Sequence, residues 1–186
     1  MPDVAGLVLA AGAGRRYGMP KALVRYQGRL FVDRAVRVLA DAGCAPVVAV
    51  LGAGAAEVRQ ELPDLVAVDN PDWPTGMGSS LRVGLKALPD KESVVVLPVD
   101  TPGVTAEAVR RLILLSSRNA LLRAGYDGEP GHPVLIGHDH WAGVYELARG
   151  DAGARDYLRR HPPEIVPCGD VSDGRDVDVP GDLPAS

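Results

Sequence analysis

The sequence predicts a three-layer α/β/α protein on a mostly parallel, Rossmann-like sheet, and three features carry that reading. Short β-branched and aliphatic runs alternate with amphipathic helical patterns over the first two thirds of the chain. One run, Ser93–Val99, is nearly continuous Val and Leu, as expected of a central strand covered by helices on both faces. Glycine-rich turns follow the ends of the runs, where open α/β sheets place their ligands.

Val4–Leu9 opens the chain as a buried strand. Phe31–Ala42 has helical apolar spacing and stops at Gly43, a common helix terminator. Pro46–Leu51 follows as a strand, Ala55–Leu62 as a helix, Leu65–Asp69 as a strand and Gly78–Leu88 as a helix. After Ser93–Val99 comes a helix over Thr105–Ser116, with Thr105 as N-cap and Glu107 near its positive end. The rhythm breaks after residue 118. Ala120–Ala124 and Val134–Ile136 flank the polar segment Gly125–Gly131, which reads equally as a hairpin or a wide loop. Short helices over Trp141–Arg149 and Gly153–His161 precede a strand at Glu164–Pro167. The tail, Asp173–Leu183, is too polar for core, although Val177 and Val179 alternate with Asp176 and Asp178.

No repeat or linker divides the 186 residues, so one domain is expected, large enough to bury roughly 70% of its unfolded surface. The net charge of -4 argues against nucleic acid or an anionic membrane as partner. No apolar stretch approaches the ~20 residues of a membrane span, and the start lacks the cationic leader of a signal peptide. A cytoplasmic location follows as the expectation. Cys44 and Cys168 have no C-x-x-C spacing and read as reduced structural thiols.

The chemistry concentrates after the first strand, in Leu9-Ala10-Ala11-Gly12-Ala13-Gly14-Arg15-Arg16. Small residues there let the backbone approach a ligand, and the exposed N–H groups of such a loop suit a phosphate. Arg15, Arg16 and Lys21 add cations beside it, which points to a triphosphate. Two commoner loops do not fit. Gly18 is followed by Met19 where a P-loop needs Lys, and Tyr17 stands where a dinucleotide fingerprint needs its third glycine. Asp100 directly follows the central strand and Pro102 holds the next turn. A carboxylate placed there suits Mg²⁺ bound together with phosphates.

Leu9-Ala-Ala-Gly-x-Gly-x-Arg16-x-Gly18-x-Pro20-Lys21 resembles the signature of sugar-nucleotide and cofactor nucleotidyltransferases. The likeness is strongest to their MobA-like branch, and within it to molybdenum cofactor cytidylyltransferases. It spans Leu7 to Leu183 and implies a nucleotide-binding part over about 1–118 and an acceptor-side part over about 119–186. By that resemblance Leu9, Ala10, Ala11, Gly12 and Gly14 hold the nucleotide, while Lys21 and Arg16 serve catalysis, Lys21 nearest the α-phosphate. Asp100 is both catalytic and a metal ligand. The tail Asp176-Val177-Asp178-Val179-Pro180-Gly181-Asp182-Leu183 resembles the family's Asp-Ile-Asp-Thr-Pro-Glu-Asp-Leu, which makes Asp178 the second metal ligand. Asn70–Leu81 resembles the stretch that bounds the base, with Gly76, Ser79 and Ser80 beside it. Gly131-His132-Pro133-Val134 and Gly150–Arg155 resemble the acceptor-side half, where His132 and Arg155 would meet an anion.

The resemblance implies transfer of CMP from CTP, with Mg²⁺, to a phosphorylated pterin-type acceptor such as molybdopterin, releasing pyrophosphate. A molybdoenzyme receiving the product would be a further partner. CTP is favoured over GTP because the Ala11 methyl stands where guanylyl-transferring relatives have glycine, and it narrows the space beside the base. Alternatives are a guanylyltransferase of the same family, a sugar-phosphate nucleotidyltransferase, a non-catalytic cofactor carrier or insertion factor, and a nicotinamide-dependent oxidoreductase. Gly52-Ala-Gly54 lacks a third glycine and reads as a tight strand–helix turn, and His138-Asp139-His140 as a polar loop.

Overall fold

The computed structural model describes residues 2–184. β1 (Val4–Ala10) leads into the glycine loop and a 3-10 turn at Lys21–Leu23, then a small hairpin of β2 (Arg25–Tyr26) and β3 (Arg29–Leu30). α1 (Phe31–Asp41), β4 (Val47–Leu51), α2 (Ala55–Glu61), β5 (Ala67–Asp69), α3 (Met77–Ala87), β6 (Ser93–Pro98) and α4 (Ala106–Ile113) follow in alternation. The last third holds β7 (Leu121–Tyr126), β8 (Glu129–Gly137), α5 (Trp141–Leu147), α6 (Arg155–Arg160) and β9 (Glu164–Pro167).

Seven of these strands form one sheet in the order β5-β4-β1-β6-β8-β7-β9. β5, β4, β1 and β6 run parallel, β8 is antiparallel to both β6 and β7, and β9 is parallel to β7. The mostly parallel α/β class expected from the sequence is the one observed. Alternation sorts the side chains into two cores. Val4, Val8 and Ala10 of β1 pack with α1 and α4, whereas Ala5, Leu7 and Leu9 pack with α3, α5 and α6. The chain moves outward from β1 to β4 and β5, then returns to set β6 on the other side of β1. That reversal opens a crevice at the C-terminal ends of β1 and β6.

Several boundaries differ from expectation, each for a local reason. α4 ends at Ile113 rather than Ser116, because Leu115 and Ser116 donate back to Leu112 and Ile113 in a tighter closing turn. Leu114 and Leu115 are exposed there, so no packing holds them in the helix. Thr105 does cap that helix, its side chain accepting from the Ala108 amide at 3.3 Å. Gly125–Gly131 resolves as a hairpin turned at Asp127-Gly128, with φ of 52° and 83°, the backbone that an Asp-Gly pair favours. β8 is accordingly much longer than Val134–Ile136. The β2–β3 hairpin, turned at Gln27-Gly28, was not anticipated because its strands are only two residues each.

The tail corrects a second expectation. Val177 is buried, 2% exposed, in the core beside α4. Its amide donates to the Asp100 carbonyl at 2.8 Å, so the tail is stitched to the end of β6. The Asp182 carboxylate accepts from the amides of Asp178 and Val179 at 3.0 and 3.2 Å and fixes the next turn. One buried residue anchors an otherwise solvated strip.

Candidate functional site

Three contiguous cavities occupy the crevice, and Leu9 and Met77 line all of them. Leu9 ends the central strand, while Met77 opens α3 and is 42% exposed. These two side chains form the junction from which the cavities diverge.

The first cavity, about 270 Å³, collects Gly12, Gly14, Arg15, Arg16, Lys21, Asp100 and Asp178. Gly14 is required there, since it has φ of +63° and a Cβ would run into the Met19 carbonyl. The Lys21 ammonium bridges two carboxylates, 3.2 Å from Asp100 Oδ2 and 3.0 Å from Asp178 Oδ1. Burial opposes its charge, but Asp100 and Asp178 more than compensate and raise its pKa above that of ordinary lysine. Partial desolvation, and then the charges of Asp100 and Asp178, raise the Asp176 pKa. Negative charge therefore concentrates at this end around a single lysine. Asp178 reaches the site only because the buried Val177 holds the tail against Asp100.

The second cavity, about 400 Å³, is bounded by Ala11, Trp73, Pro74, Gly76, Ser80 and Asp151. Gly76 permits the loop before α3 to press on the segment before α6, for a Cβ at Gly76 would sit 2.5 Å from Gly150. The two serines separate here. Asn70 Nδ2 donates to both hydroxyls, at 2.8 Å to Ser79 and 2.9 Å to Ser80. The Ser79 hydroxyl directs its one proton to the carbonyls of Asp72 and Gly76, 3.1 and 3.0 Å away, and lies outside the cavity wall. Ser80, 3% exposed, lies in it. Ala10 is buried behind the loop and lines none of the three cavities.

The third cavity, about 250 Å³, brings His132 and Arg155 together with Arg123. Burial, and then the Arg123 charge, drive the His132 pKa down to about 4, so the ring is neutral at pH 7. The Arg123 Nε–H donates to the Gly131 carbonyl at 2.9 Å, and burial lowers its pKa. Arg155 is exposed at the rim.

The sequence reading missed Arg123, Trp73, Met77 and Asp151 as cavity residues. Trp73, Met77 and Asp151 fall within the stretches Asn70–Leu81 and Gly150–Arg155 already singled out, while the signal of Arg123 was a single charge inside the apolar run Leu121–Ala124. Among the described residues no cluster of three or more His, Cys, Asp or Glu side chains could hold a metal by itself. His138 and His140 are engaged elsewhere, His138 with Arg118 and His140 with the Tyr157 hydroxyl, both at 2.6 Å. Both cysteines are buried and free. Among the described residues no helix is long and apolar enough to cross a membrane.

Known proteins resemble this chain over most of its length. Residues 6–165 match the MobA-like NTP transferase domain. The chain is 40% identical over 191 aligned positions to nicotine blue oxidoreductase of Paenarthrobacter nicotinovorans, covering 96% of this chain and 94% of that one. It is 32% identical to a probable molybdenum cofactor guanylyltransferase of Bacillus cytotoxicus, over 60% of this chain and 56% of the relative. The crystal structure of Rv0371c from Mycobacterium tuberculosis H37Rv superposes with a TM-score of 0.81 at 27% identity, covering 96% of this chain and 94% of that one. The same protein has been solved in complex with manganese, with a TM-score of 0.75 and 26% identity over 98% of this chain and 94% of that one. By its sheet, its glycine loop and a match over most of its length, the chain belongs to the MobA-like NTP transferase family.

Proposed function

We propose that the chain transfers a nucleoside monophosphate, CMP from CTP by preference, to a phosphorylated acceptor in the third cavity, releasing pyrophosphate. The observation that carries this reading is Lys21 held between Asp100 and Asp178 at the mouth of the glycine loop. One domain, with its nucleotide part over about 1–118 and its acceptor part over about 119–186, would do both halves of the work.

A divalent cation fits this donor set. Two carboxylates already converge on one cationic centre, a third raises the local negative charge, and phosphate oxygens and water can complete the shell. The manganese complex of Rv0371c supports the same choice. Asp100 and Asp178 would hold Mg²⁺, which supplies neutralisation of charge on the leaving pyrophosphate.

The remaining chemistry falls to the chain's own residues. A phosphate nucleophile is anionic at pH 7, so alignment and charge neutralisation matter more than a general base. The amides around Gly12 and Gly14 and the cations of Arg16 and Lys21 face the phosphates in the first cavity. Lys21 keeps its proton throughout, because its carboxylate neighbours raise its pKa. The base lies against Trp73 in the second cavity, with the Ala11 methyl limiting its width and Ser80 at its polar edge. Neutral His132 offers the acceptor a hydrogen bond rather than a charge. The acceptor is read as molybdopterin or molybdenum cofactor, supported by the family resemblance and by the guanylyltransferase relative.

The test is pyrophosphate release from CTP, GTP, ATP and UTP with Mg²⁺ and candidate phosphorylated acceptors. CTP is expected to exceed GTP at least ~10-fold in kcat/KM, or ~1.4 kcal/mol. A preference for GTP would assign the chain as a guanylyltransferase and leave the lysine and carboxylate roles standing. One observation favours a second reading. The 40% identical relative is named an oxidoreductase, so redox turnover with a reduced nicotinamide dinucleotide belongs in the same assay series.

A further inference from the structure

The third cavity contains cations that no carboxylate among the described residues neutralises. Arg123 lies in β7 opposite Val134 of β8, on the sheet face that carries Val134 and Ile136. Its guanidinium is half-buried and tethered through Nε to the Gly131 carbonyl. Among the described residues no carboxylate lies within ion-pairing distance of Arg123 or of Arg155. Sinking a guanidinium among aliphatic side chains without an anion is costly. The His132 ring lines the same cavity and makes no side-chain hydrogen bond within the protein among the described residues.

The cavity has a direction. Its inner end opens at Leu9 and Met77 onto the two cavities of the nucleotide site. Its outer end reaches a surface groove that shares Arg123, Arg155 and Leu158 with it. Between the ends lies a slot with the sheet residues Val96, Val134 and Ile136 on one side and the helix residues Leu81 and Leu158 on the other. Such a slot suits a flat apolar body whose charged group lies beyond it.

We propose that Arg123 is a specificity-determining residue that binds an anionic group at the end of the second substrate remote from the nucleotide. The second substrate is then an elongated molecule with a flat body and a distal phosphate, carboxylate or sulfonate in addition to its reacting phosphate, a demand beyond what a pterin with only its reacting phosphate supplies. Arg155 assists from the rim and His132 adds a neutral hydrogen bond. This rests on the reading of the cleft as a nucleotide site with a second substrate beside it.

The test uses two fluorescent probes on the full chain, 8-anilinonaphthalene-1-sulfonate and the uncharged N-phenyl-1-naphthylamine, which share a ring body and differ by the anion. The sulfonate is expected to bind at least ~10-fold more tightly than the uncharged dye, the size of one charge-assisted hydrogen-bond pair. Arg123→Gln should abolish that preference, Arg123→Lys should retain part of it, and Arg155→Gln should reduce it less than Arg123→Gln does. Thermal unfolding and calorimetric MgCTP binding of each variant show that the rest of the cleft is intact. Equal binding of the two dyes to the wild type, or a preference that survives Arg123→Gln, would overturn the proposal. Because the dyes are read without nucleotide, failure of the wild type to bind MgCTP would strike the nucleotide reading alone.

Discussion

The two ends of the cleft treat their cations in opposite ways. At the end of the parallel half, Lys21 is matched by Asp100 and Asp178 within 3.2 Å. In the antiparallel third, Arg123 has no acidic partner among the described residues and His132 is kept neutral. The difference follows from how each end is built. The first is assembled from loops at strand ends, where backbone turns and a returning tail can bring carboxylates to the lysine. The second is built from side chains rising off paired strands, whose neighbours on that face are aliphatic. A matched cluster can exchange partners when a new cation and new anions arrive together. An unmatched cation can only wait for an anion. The matched end should therefore respond to metal, and the unmatched end to the charge of the second substrate.

The largest expected effect breaks the matched end. Asp100→Asn should remove divalent-dependent turnover by more than ~10³-fold, because it takes away the carboxylate shared by the lysine and the metal. Steady-state pyrophosphate release with saturating CTP checks this, and an undiminished enzyme would remove Asp100 from the site. Lys21→Ala should lower turnover by ~10²–10³-fold, as loss of one preorganised cation typically does. It should also strengthen Mg²⁺ binding to the nucleotide-free protein, since Asp100 and Asp178 then repel one another without a counter-charge. Calorimetry of the two proteins against Mg²⁺ reads that second effect, which a merely disrupted site would not produce.

At the unmatched end the expected effect is on stability. His132 titrates near 6.5 when unfolded and near 4 when folded. Between those values the unfolded chain binds the extra proton, so stability rises with pH across the window and is lost as pH falls through it. The loss should total about 3 kcal/mol and level off below about pH 4. Urea melts of the wild type and His132→Gln from pH 4 to 7 should differ in slope across that window, and parallel slopes would deny His132 its buried neutral state. The smallest effect concerns the base. Ala11→Gly should erode the preference for CTP over GTP by about tenfold, ~1.4 kcal/mol, if the methyl is what narrows the second cavity. An unchanged ratio would move base selection to Trp73 or Ser80.

Much of the parallel half was legible because its signals are local. The apolar run of β6, the small residues before Arg15, the cap at Thr105 and the position of Asp100 each depend on a few neighbours in sequence. What was not legible depends on pairing across the chain. Whether Arg123 faces solvent or cavity is decided by its register opposite Val134, and the hairpin that sets this register was itself ambiguous. Val177 looked like part of a polar tail because the core that buries it, beside α4, and the Asp100 carbonyl that holds its amide are both far away in sequence. Ser79 and Ser80 were indistinguishable as letters. Helix α3 begins at Met77, so the hydroxyl of Ser79 turns back onto Gly76 and Asp72 and only Ser80 remains in the wall.

The cleft between β1 and β6 is expected to receive a nucleoside triphosphate together with a divalent cation. Isothermal titration of the wild-type chain and Asp100→Asn with MgCTP, and with a reduced nicotinamide dinucleotide, tests it most directly. One MgCTP bound per chain, weakened by removal of Mg²⁺ and by Asp100→Asn, with the dinucleotide bound far more weakly, is the expected result. Tight binding of the dinucleotide with no response to MgCTP would contradict it and make the oxidoreductase reading the correct one.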